Sequence, residues 1–552
     1  MPFSSPFPAL DIPKIDLLSY LFPPNSTPSD TPIWIDSKDA NNNLSPRQLL
    51  QWVKRLGYGL DKLGIGRGDA VVIFTPNHIF VPVVYFGVAG SGRVFSGLNP
   101  NYTVSEAAHQ LQNTEAKVVL VHPSLAQTAI KAAQEIGLPR NRLFLFSDRP
   151  SPPIHGLEDW RTTLAGSAVD GESYMWRRMS GKESETTIAT LNYSSGTTGR
   201  PKGVAVSHYN IVANVEQTIF MRFLHKKERP QERWLGFLPL YHAYAQLFTI
   251  VMAVKLSIPV YLMTEFHYED FLRAIQTYRI TNLQVAPPIL VMLNKRPETD
   301  SYDLSSVTDV LCGAAPLSGE LQNEVANKFN LQINQGWGMT ETVCGAHNVP
   351  GGSKDDSGSV GQLFPNCECK LLDDDGNEVA AGEPGEMYIK GPQVCMGYWK
   401  NQQATKEALS PDGWLRTGDV AIVKNGWFWI VDRKKELIKV NGLQVAPAEL
   451  EAVLLEYKKI ADAAVVGITI NGEEWPRAYI HLTDAAKGTT TETDIQDYVK
   501  SKVAKYKQLV GGVSFVDEVP KLPSGKIVRK LLREWSKRDA LMMTGENLRA
   551  KL

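Results

Sequence analysis

The chain has almost no net charge: 58 Lys and Arg against 59 Asp and Glu leave −1 over 552 residues. General binders of nucleic acid or anionic membranes work by releasing counterions to a basic surface, so neither role is expected. Cysteine is scarce and odd in number (Cys312, Cys344, Cys367, Cys369 and Cys395). That excludes a disulfide-built scaffold and reads as reduced thiols in an intracellular compartment. Cys367-x-Cys369 has no second pair and no nearby His to complete a metal site. The opening MPFSSPFPALDIPKID lacks the basic region and apolar core of a secretory signal. There is no repeat of 20–50 residues, which argues against a solenoid. One uncharged run, Leu235 to Val254, has the length of a membrane span and needs care as a candidate for one. It contains Pro239, Tyr241, His242, Tyr244 and Gln246, expensive in lipid but suited to a buried site, so it is expected to be core.

What is present is an ordinary globular composition, 43% hydrophobic and 21% charged, which excludes disorder. The length suggests three or four domains or subdomains. Ser45-Pro46 reads as an N-cap followed by proline at the first helical position, with Leu49, Leu50, Val53, Leu56, Leu60 and Leu63 at helical spacing. Ala70 to Asn77, Lys117 to His122 and RLFLFSD read as strands, and Val104 to Gln112 and Pro123 to Ile136 as helices. The alternation recurs from Glu269 to Leu311. Strands alternating with helices imply α/β architecture with parallel-rich sheets sandwiched by helices. After Lys354 short strands between glycine-rich acidic turns suggest a β-rich subdomain. A large domain is expected over residues 1–432 and a small mobile α+β domain over 433–552. The latter holds a helix at Pro447 to Tyr457 and strands at Ala463 to Ile468 and Tyr479 to Thr483.

The strongest local signal is Tyr193-Ser-Ser-Gly-Thr-Thr-Gly-Arg-Pro-Lys-Gly203. Ser194, Ser195, Thr197 and Thr198 supply hydroxyls, Gly196 and Gly199 let backbone amides approach a polyanion, and Lys202 adds a point charge. This makes a phosphate cradle. It is not a Walker A loop, because Gly203 follows Lys202 where Ser or Thr is required, and no strand-linked G-x-G-x-x-G occurs.

Further blocks follow in order: LPLYHAY (Leu238 to Tyr244), GAAP (Gly313 to Pro316), GWGMTE (Gly336 to Glu341), RTGD (Arg416 to Asp419), DRKKELIKVNGLQVAPAELE (Asp432 to Glu451) and PKLPSGKIVRK (Pro520 to Lys530). Together with the 193–203 segment they resemble the adenylate-forming superfamily of acyl-CoA synthetases, adenylation domains and luciferases, most closely its 4-coumarate–CoA ligase-like branch. The resemblance implies an acid–thiol ligase that uses ATP, Mg²⁺ and, as co-substrate, coenzyme A. A carboxylic acid, aryl or of medium chain length, is activated to acyl-AMP with release of pyrophosphate, then passed to CoA.

It also implies roles. The 194–202 loop would hold the β- and γ-phosphates. Gly313, Ala314 and Ala315, with Gln335, Gly336, Trp337, Gly338 and Met339, would wall the adenine slot, Trp337 stacking where the family usually has tyrosine. Thr340 would contact the α-phosphate, and Glu341 with Thr198 would hold Mg²⁺, a hard cation that prefers oxygen. Asp419, supported by Arg433, would accept the ribose hydroxyls. Lys526 would bridge the acid's carboxylate and the α-phosphate. Lys435 would be the hinge, and Lys439 and Gln444 would approach the adenylate from the small domain. His242 would gate the CoA route at the mouth of an acyl pocket formed by Tyr244, Ala286, Pro287, Gly313, Gly338, Val343, Cys344 and Gly345.

Each also has a plain structural reading: Asp419 a turn residue, Glu341 a helix-start acid, His242 a core histidine, Lys526 a surface lysine. Cys312 stands where serine is common, and Asn441 where plant members of the branch carry lysine, on the CoA side of the second step. Three other functions stay open: loading of a carrier-protein thiol, a luciferase-like oxygenase, and a non-catalytic AMP- or acyl-binding protein. Ala550-Lys551-Leu552 is close to the S-K-L address, so a peroxisomal import receptor is an expected partner, with the cytoplasm otherwise.

Overall fold

The computed structural model describes residues 2–194, 201–440, 443–470, 472–522 and 525–544. Ser195, Gly196, Thr197, Thr198, Gly199, Asn441 and the Ala550-Lys551-Leu552 tripeptide lie outside the described residues. Two sheets dominate the large domain. The seven-stranded sheet has a parallel core in the spatial order Ile188–Ser194, Val94–Leu98, Ala70–Phe74, Val118–Val121, Leu143–Leu145. Ala70–Phe74 and Val94–Leu98 are buried at every position, as continuous apolar runs covered on both faces must be. Lys202–Ser207 returns antiparallel to Ile188–Ser194, with Ser194 opposite Lys202, and Gly397–Tyr398 closes the edge beyond it. The two ends of the Ser/Thr/Gly segment are therefore pinned to one ladder.

The other sheet has 14 strands. Trp34–Asp36, Val260–Leu262, Trp234–Gly236, Asn282–Val285, Asp309–Cys312 and Gln332–Trp337 run parallel. The β-rich stretch after Lys354 is not a separate sheet. It joins the parallel half through His347–Asn348, which pairs antiparallel with Gln332–Trp337 on one side and Gly361–Leu363 on the other. Leu415–Lys424 and Trp427–Arg433 continue that antiparallel half.

Local rules explain the elements. Ser45 caps Pro46–Lys62 by accepting from the Gln48 amide while Gln48 returns a bond to the Ser45 amide, an arrangement worth about 1 kcal/mol. Leu49, Val53, Leu56 and Leu60 from the predicted stripe are buried, and Leu56→Ala would cost about 2–5 kcal/mol. The predicted helix over Pro123 to Ile136 begins instead as a 3₁₀ turn, Pro123–Leu125, before Ala126–Glu135. The uncharged run from Leu235 splits into the strand Trp234–Gly236 and a helix whose Gln246–Met252 portion is π-helical and wholly buried. Among the described residues no helix is long and apolar enough to cross a membrane.

In the small domain Ile460–Ile470 and Glu473–Leu482 form an antiparallel pair with Val513–Phe515 parallel at its edge, packed against Pro447–Glu456 and Arg529–Thr544. Both predicted strands are longer than the sequence patterning suggested. Ile438–Val440 and Leu443–Val445 make a separate hairpin. The junction is held by Asp432, whose Oδ2 accepts from the Ala448 amide at the start of Pro447–Glu456 at 3.0 Å. Burial pushes its carboxyl up to about 6. Beside it Arg529 forks onto both carboxylate oxygens of Glu451 at 2.6 and 2.9 Å.

Candidate functional site

The two domains enclose a cleft of about 1700 Å³, larger than a single drug-sized ligand needs. Two carboxylates are fixed in its large-domain wall. Asp419 lies on Leu415–Lys424, directly opposite Arg433 on the next strand. Its Oδ2 accepts from Nε1 of Trp337 at 2.9 Å, and its Oδ1 is 3.5 Å from Nε of Arg433. Burial raises its pKa, while Arg433, the Trp337 bond and Lys526 oppose that rise. Gly418 precedes it at φ +74, the left-handed turn that aims the strand's next side chain.

Glu341 sits in a 3₁₀ turn, Thr340–Thr342, and is buried. Its Oε1 accepts from the Tyr398 hydroxyl at 2.8 Å and the Ser194 hydroxyl at 3.3 Å. The Lys202 ammonium stands 5.2 Å from the Tyr398 ring centre, so a cation and an acid flank one phenol. Thr340, Met339, Gln335, Gly336, Gly313, Ala314 and Ala315 line the same cleft. Ala314 has φ +71, a conformation costing about 1–2 kcal/mol in a residue with a Cβ and concentrated at functional sites. Gly338 is fixed by space: a Cβ there would lie 1.6 Å from the Cys344 carbonyl oxygen.

The small domain contributes Lys526. The turn that carries it is closed by the Gly525 amide donating to Leu522 O and the Leu522 amide to Lys526 O, both at 2.8 Å. It presses on the large domain, since a Cβ on Gly525 would meet Ala286 Cβ and Pro288 Cγ at 3.2 Å. Burial and Arg433 lower the Lys526 ammonium's pKa, against the pull of Glu341 and Asp419. His242 faces the same cation. Burial and the Lys526 charge push the imidazole down to about 3, so it is neutral near pH 7.

His242, Tyr244, Pro287, Cys312, Gly313, Gly338, Cys344 and Gly345 also line the cleft. The Tyr244 hydroxyl donates to Leu311 O at 2.9 Å, and its ring meets Phe248 edge-on at 5.3 Å. Burial holds the Cys344 thiol up at about 12, so it is an inert wall rather than a nucleophile.

Four expected positions fall elsewhere. Val343 is not in the cleft wall; at φ +62 the backbone turns its side chain into the apolar core. Ala286 is buried under Gly525. Lys439 and Gln444 face each other across the Ile438–Val440/Leu443–Val445 hairpin, exposed and outside the cleft lining. With the Lys526 turn seated against the large domain, the hairpin lies on another side of the small domain. Lys435 follows the last large-domain strand and borders the cleft. Sequence reasoning missed Tyr398: nothing in its neighbourhood says that the tyrosine ends on Glu341, because that contact spans 57 residues.

This geometry has relatives. A model of the AMP-binding enzyme family matches residues 24–399, and one of the AMP-binding enzyme C-terminal domain matches residues 449–526. The chain is 36% identical over 519 residues to an acyl-CoA synthetase of Alternaria alternata, covering 91% of this chain and 87% of that one. It is 36% identical to a phenylacetyl-CoA ligase of Aspergillus niger, covering 96% and 98%. Among solved structures, an anthranilate CoA ligase in complex with anthranoyl-AMP superposes with TM-score 0.82 at 22% identity, over 96% of this chain and 99% of that one, a likeness of fold. With family models on both domains and relatives matched end to end, the chain belongs to the AMP-binding enzymes, the adenylate-forming acyl-CoA synthetases and ligases.

Proposed function

We propose that the protein activates a carboxylic acid with ATP and transfers the acyl group to coenzyme A. The observation that carries this is the insertion of Lys526 from the small domain into a cleft whose opposite wall holds Asp419 and Glu341. Two anions, a carboxylate and a triphosphate, must meet for the first step, and a positioned ammonium offsets their repulsion and the charge that develops. A carboxylate oxygen bonds to the α-phosphorus, the bond from that phosphorus to the bridging oxygen breaks, and pyrophosphate leaves. In the second step the CoA sulfur bonds to the acyl carbon, the carbon–oxygen bond to phosphate breaks, AMP leaves and the thiol gives up its proton.

In this reading Asp419 accepts the ribose hydroxyls, Trp337 and the 313–315 and 335–339 backbone bound the base, and Thr340 meets the α-phosphate. Ser194 and Lys202 frame the outer phosphates. Glu341 is a buried oxygen ligand of the kind Mg²⁺ takes, and the described residues hold no cluster of three His, Cys, Asp or Glu. Glu341 would be the described residue that holds the cation. When bound, it neutralises phosphate charge. Lys439 and Gln444 would reach the adenylate only after the small domain turns about Lys435, withdrawing Lys526 and clearing the route past neutral His242.

The acid is an aryl or medium-chain one. Tyr244, held flat by its bond to Leu311, and the glycines around it fit a planar ring, and the relative named for phenylacetyl-CoA supports an aryl acid. We also propose that Ala550-Lys551-Leu552 addresses the protein to peroxisomes; a fluorescent fusion ending in this tail should become diffuse when Leu552 is deleted. The activity is tested by mass spectrometry of products from ATP, Mg²⁺ and a panel of cinnamates, phenylacetate, benzoates and fatty acids, with and without CoA. Acyl-CoA with AMP establishes the ligase. Acyl-AMP that accumulates without thioester would move the reading to carrier-protein loading.

A further inference from the structure

Lys295 is not part of the chemistry, yet it makes an unusual pair of bonds. It ends the large-domain helix Pro287–Lys295. Its ammonium crosses to the small domain and donates to Leu455 O at 2.6 Å and Ile460 O at 2.7 Å. Both acceptors are available for a physical reason. Leu455 belongs to the last turn of Pro447–Glu456, where carbonyls have no partner within the helix and the dipole favours a cation. Ile460 opens the strand Ile460–Ile470 at a register break between Ile460 and Asp462.

The same large-domain helix touches the small domain at its other end, where Pro288 lies against Gly525, the neighbour of Lys526. Nine residues of helix span about 13 Å, so one rigid rod contacts the small domain at two separated points. With the Ala448–Asp432 bond at the junction they make three points, and three points fix the small domain's angle where the junction and one contact would leave it free to pivot. Asp462 and the exposed Glu324 add favourable field at the ammonium, while burial opposes its charge.

We propose that Lys295 is a positioning residue: its two bonds to Leu455 O and Ile460 O latch the small domain in the arrangement that inserts Lys526, and their release precedes the thioester step. The latch rests on the ligase reading for its kinetic consequence but not for its conformational one. Charge-assisted bonds of this kind, lost from one of two arrangements, shift their balance by about tenfold or more.

The test compares wild type, Lys295→Met and Lys295→Arg. Acid-dependent ATP–pyrophosphate exchange should fall about tenfold in Lys295→Met. Thioester formation from supplied acyl-AMP and CoA should be unchanged or faster, and Lys295→Arg, which keeps the charge and donors, should recover much of the exchange. Dyes on cysteines introduced at exposed Lys131 and Lys487 report the arrangement directly, and Lys295→Met should shift the transfer efficiency of the nucleotide-free protein. Unchanged exchange and unchanged transfer efficiency in Lys295→Met would overturn the latch. So would an equal fall in both half-reactions with a lowered Tm, which marks a merely structural lysine. If wild type shows no exchange with any acid but Lys295→Met still shifts the dye distance, the latch stands and the ligase reading falls.

Discussion

The two walls of the cleft hold their charges in opposite ways. On the large-domain side Asp419 and Glu341 are buried in or beside a sheet, each fixed by an aromatic donor, Trp337 Nε1 or the Tyr398 hydroxyl. On the small-domain side Lys526 projects from a turn held mainly by its own backbone bonds and by contact with Ala286 and Pro288. A nucleotide site needs acids whose position does not change, and buried carboxylates stay in place only when their oxygens are paired. A cation wanted for one step and unwanted in the next is better carried on a part that can leave. The contrast between a fixed acidic wall and a removable basic one is the core of the proposed mechanism.

Lys526→Ala should sharpen the contrast most. Acid-dependent ATP–pyrophosphate exchange falls about 10²- to 10³-fold, while thioester formation from supplied acyl-AMP stays within a few-fold; equal losses would break it. Asp419→Asn and Glu341→Gln should each lower kcat/KM for ATP on the order of 10- to 100-fold, since both act on charge-assisted contacts. Trp337→Phe leaves Asp419 Oδ2 without its partner, and the ATP KM should rise about tenfold with little change in KM for the acid. Tyr398→Phe should cost a few-fold and raise the Mg²⁺ concentration needed for half-maximal rate, because Glu341 keeps its Ser194 bond. The smallest effect is a pH shift. The ammonium form of Lys526 is the active one and its pKa is lowered in the free protein. The alkaline fall of kcat/KM for adenylation should therefore come below the ordinary lysine range of about 10.4. Lys526→Arg should move that limb upward. His242, held at about 3, should contribute no acid limb between pH 5 and 8.

The sequence shows the site better than it shows the site's supports. Asp419, Glu341, Trp337, His242 and Lys526 stand in contiguous blocks whose residue types suit the proposed chemistry, and the structure brings all five to one cleft. The Ser45 cap and the Leu49 to Leu60 stripe are legible because they are local. Tyr398 and Lys295 are not, because their partners lie 57 and 160 residues away and their own neighbourhoods carry no pattern. Val343 reads as pocket because it sits between pocket residues; a left-handed φ, invisible in sequence for a β-branched residue, turns it inward. The placement of Lys439 and Gln444 depends on which side the small domain presents, and that is a property of an arrangement rather than of a motif.

Attack of the acid's carboxylate on the α-phosphorus in this cleft can be followed through a single oxygen atom. The acid identified by the product panel, labelled with ¹⁸O in its carboxylate, is turned over with ATP, Mg²⁺ and CoA. One label should then appear in AMP and none in pyrophosphate, because the attacking oxygen stays on phosphorus when the thiol takes the acyl carbon. Label in pyrophosphate or inorganic phosphate, or unlabelled AMP alongside acyl-CoA, would rule out that attack.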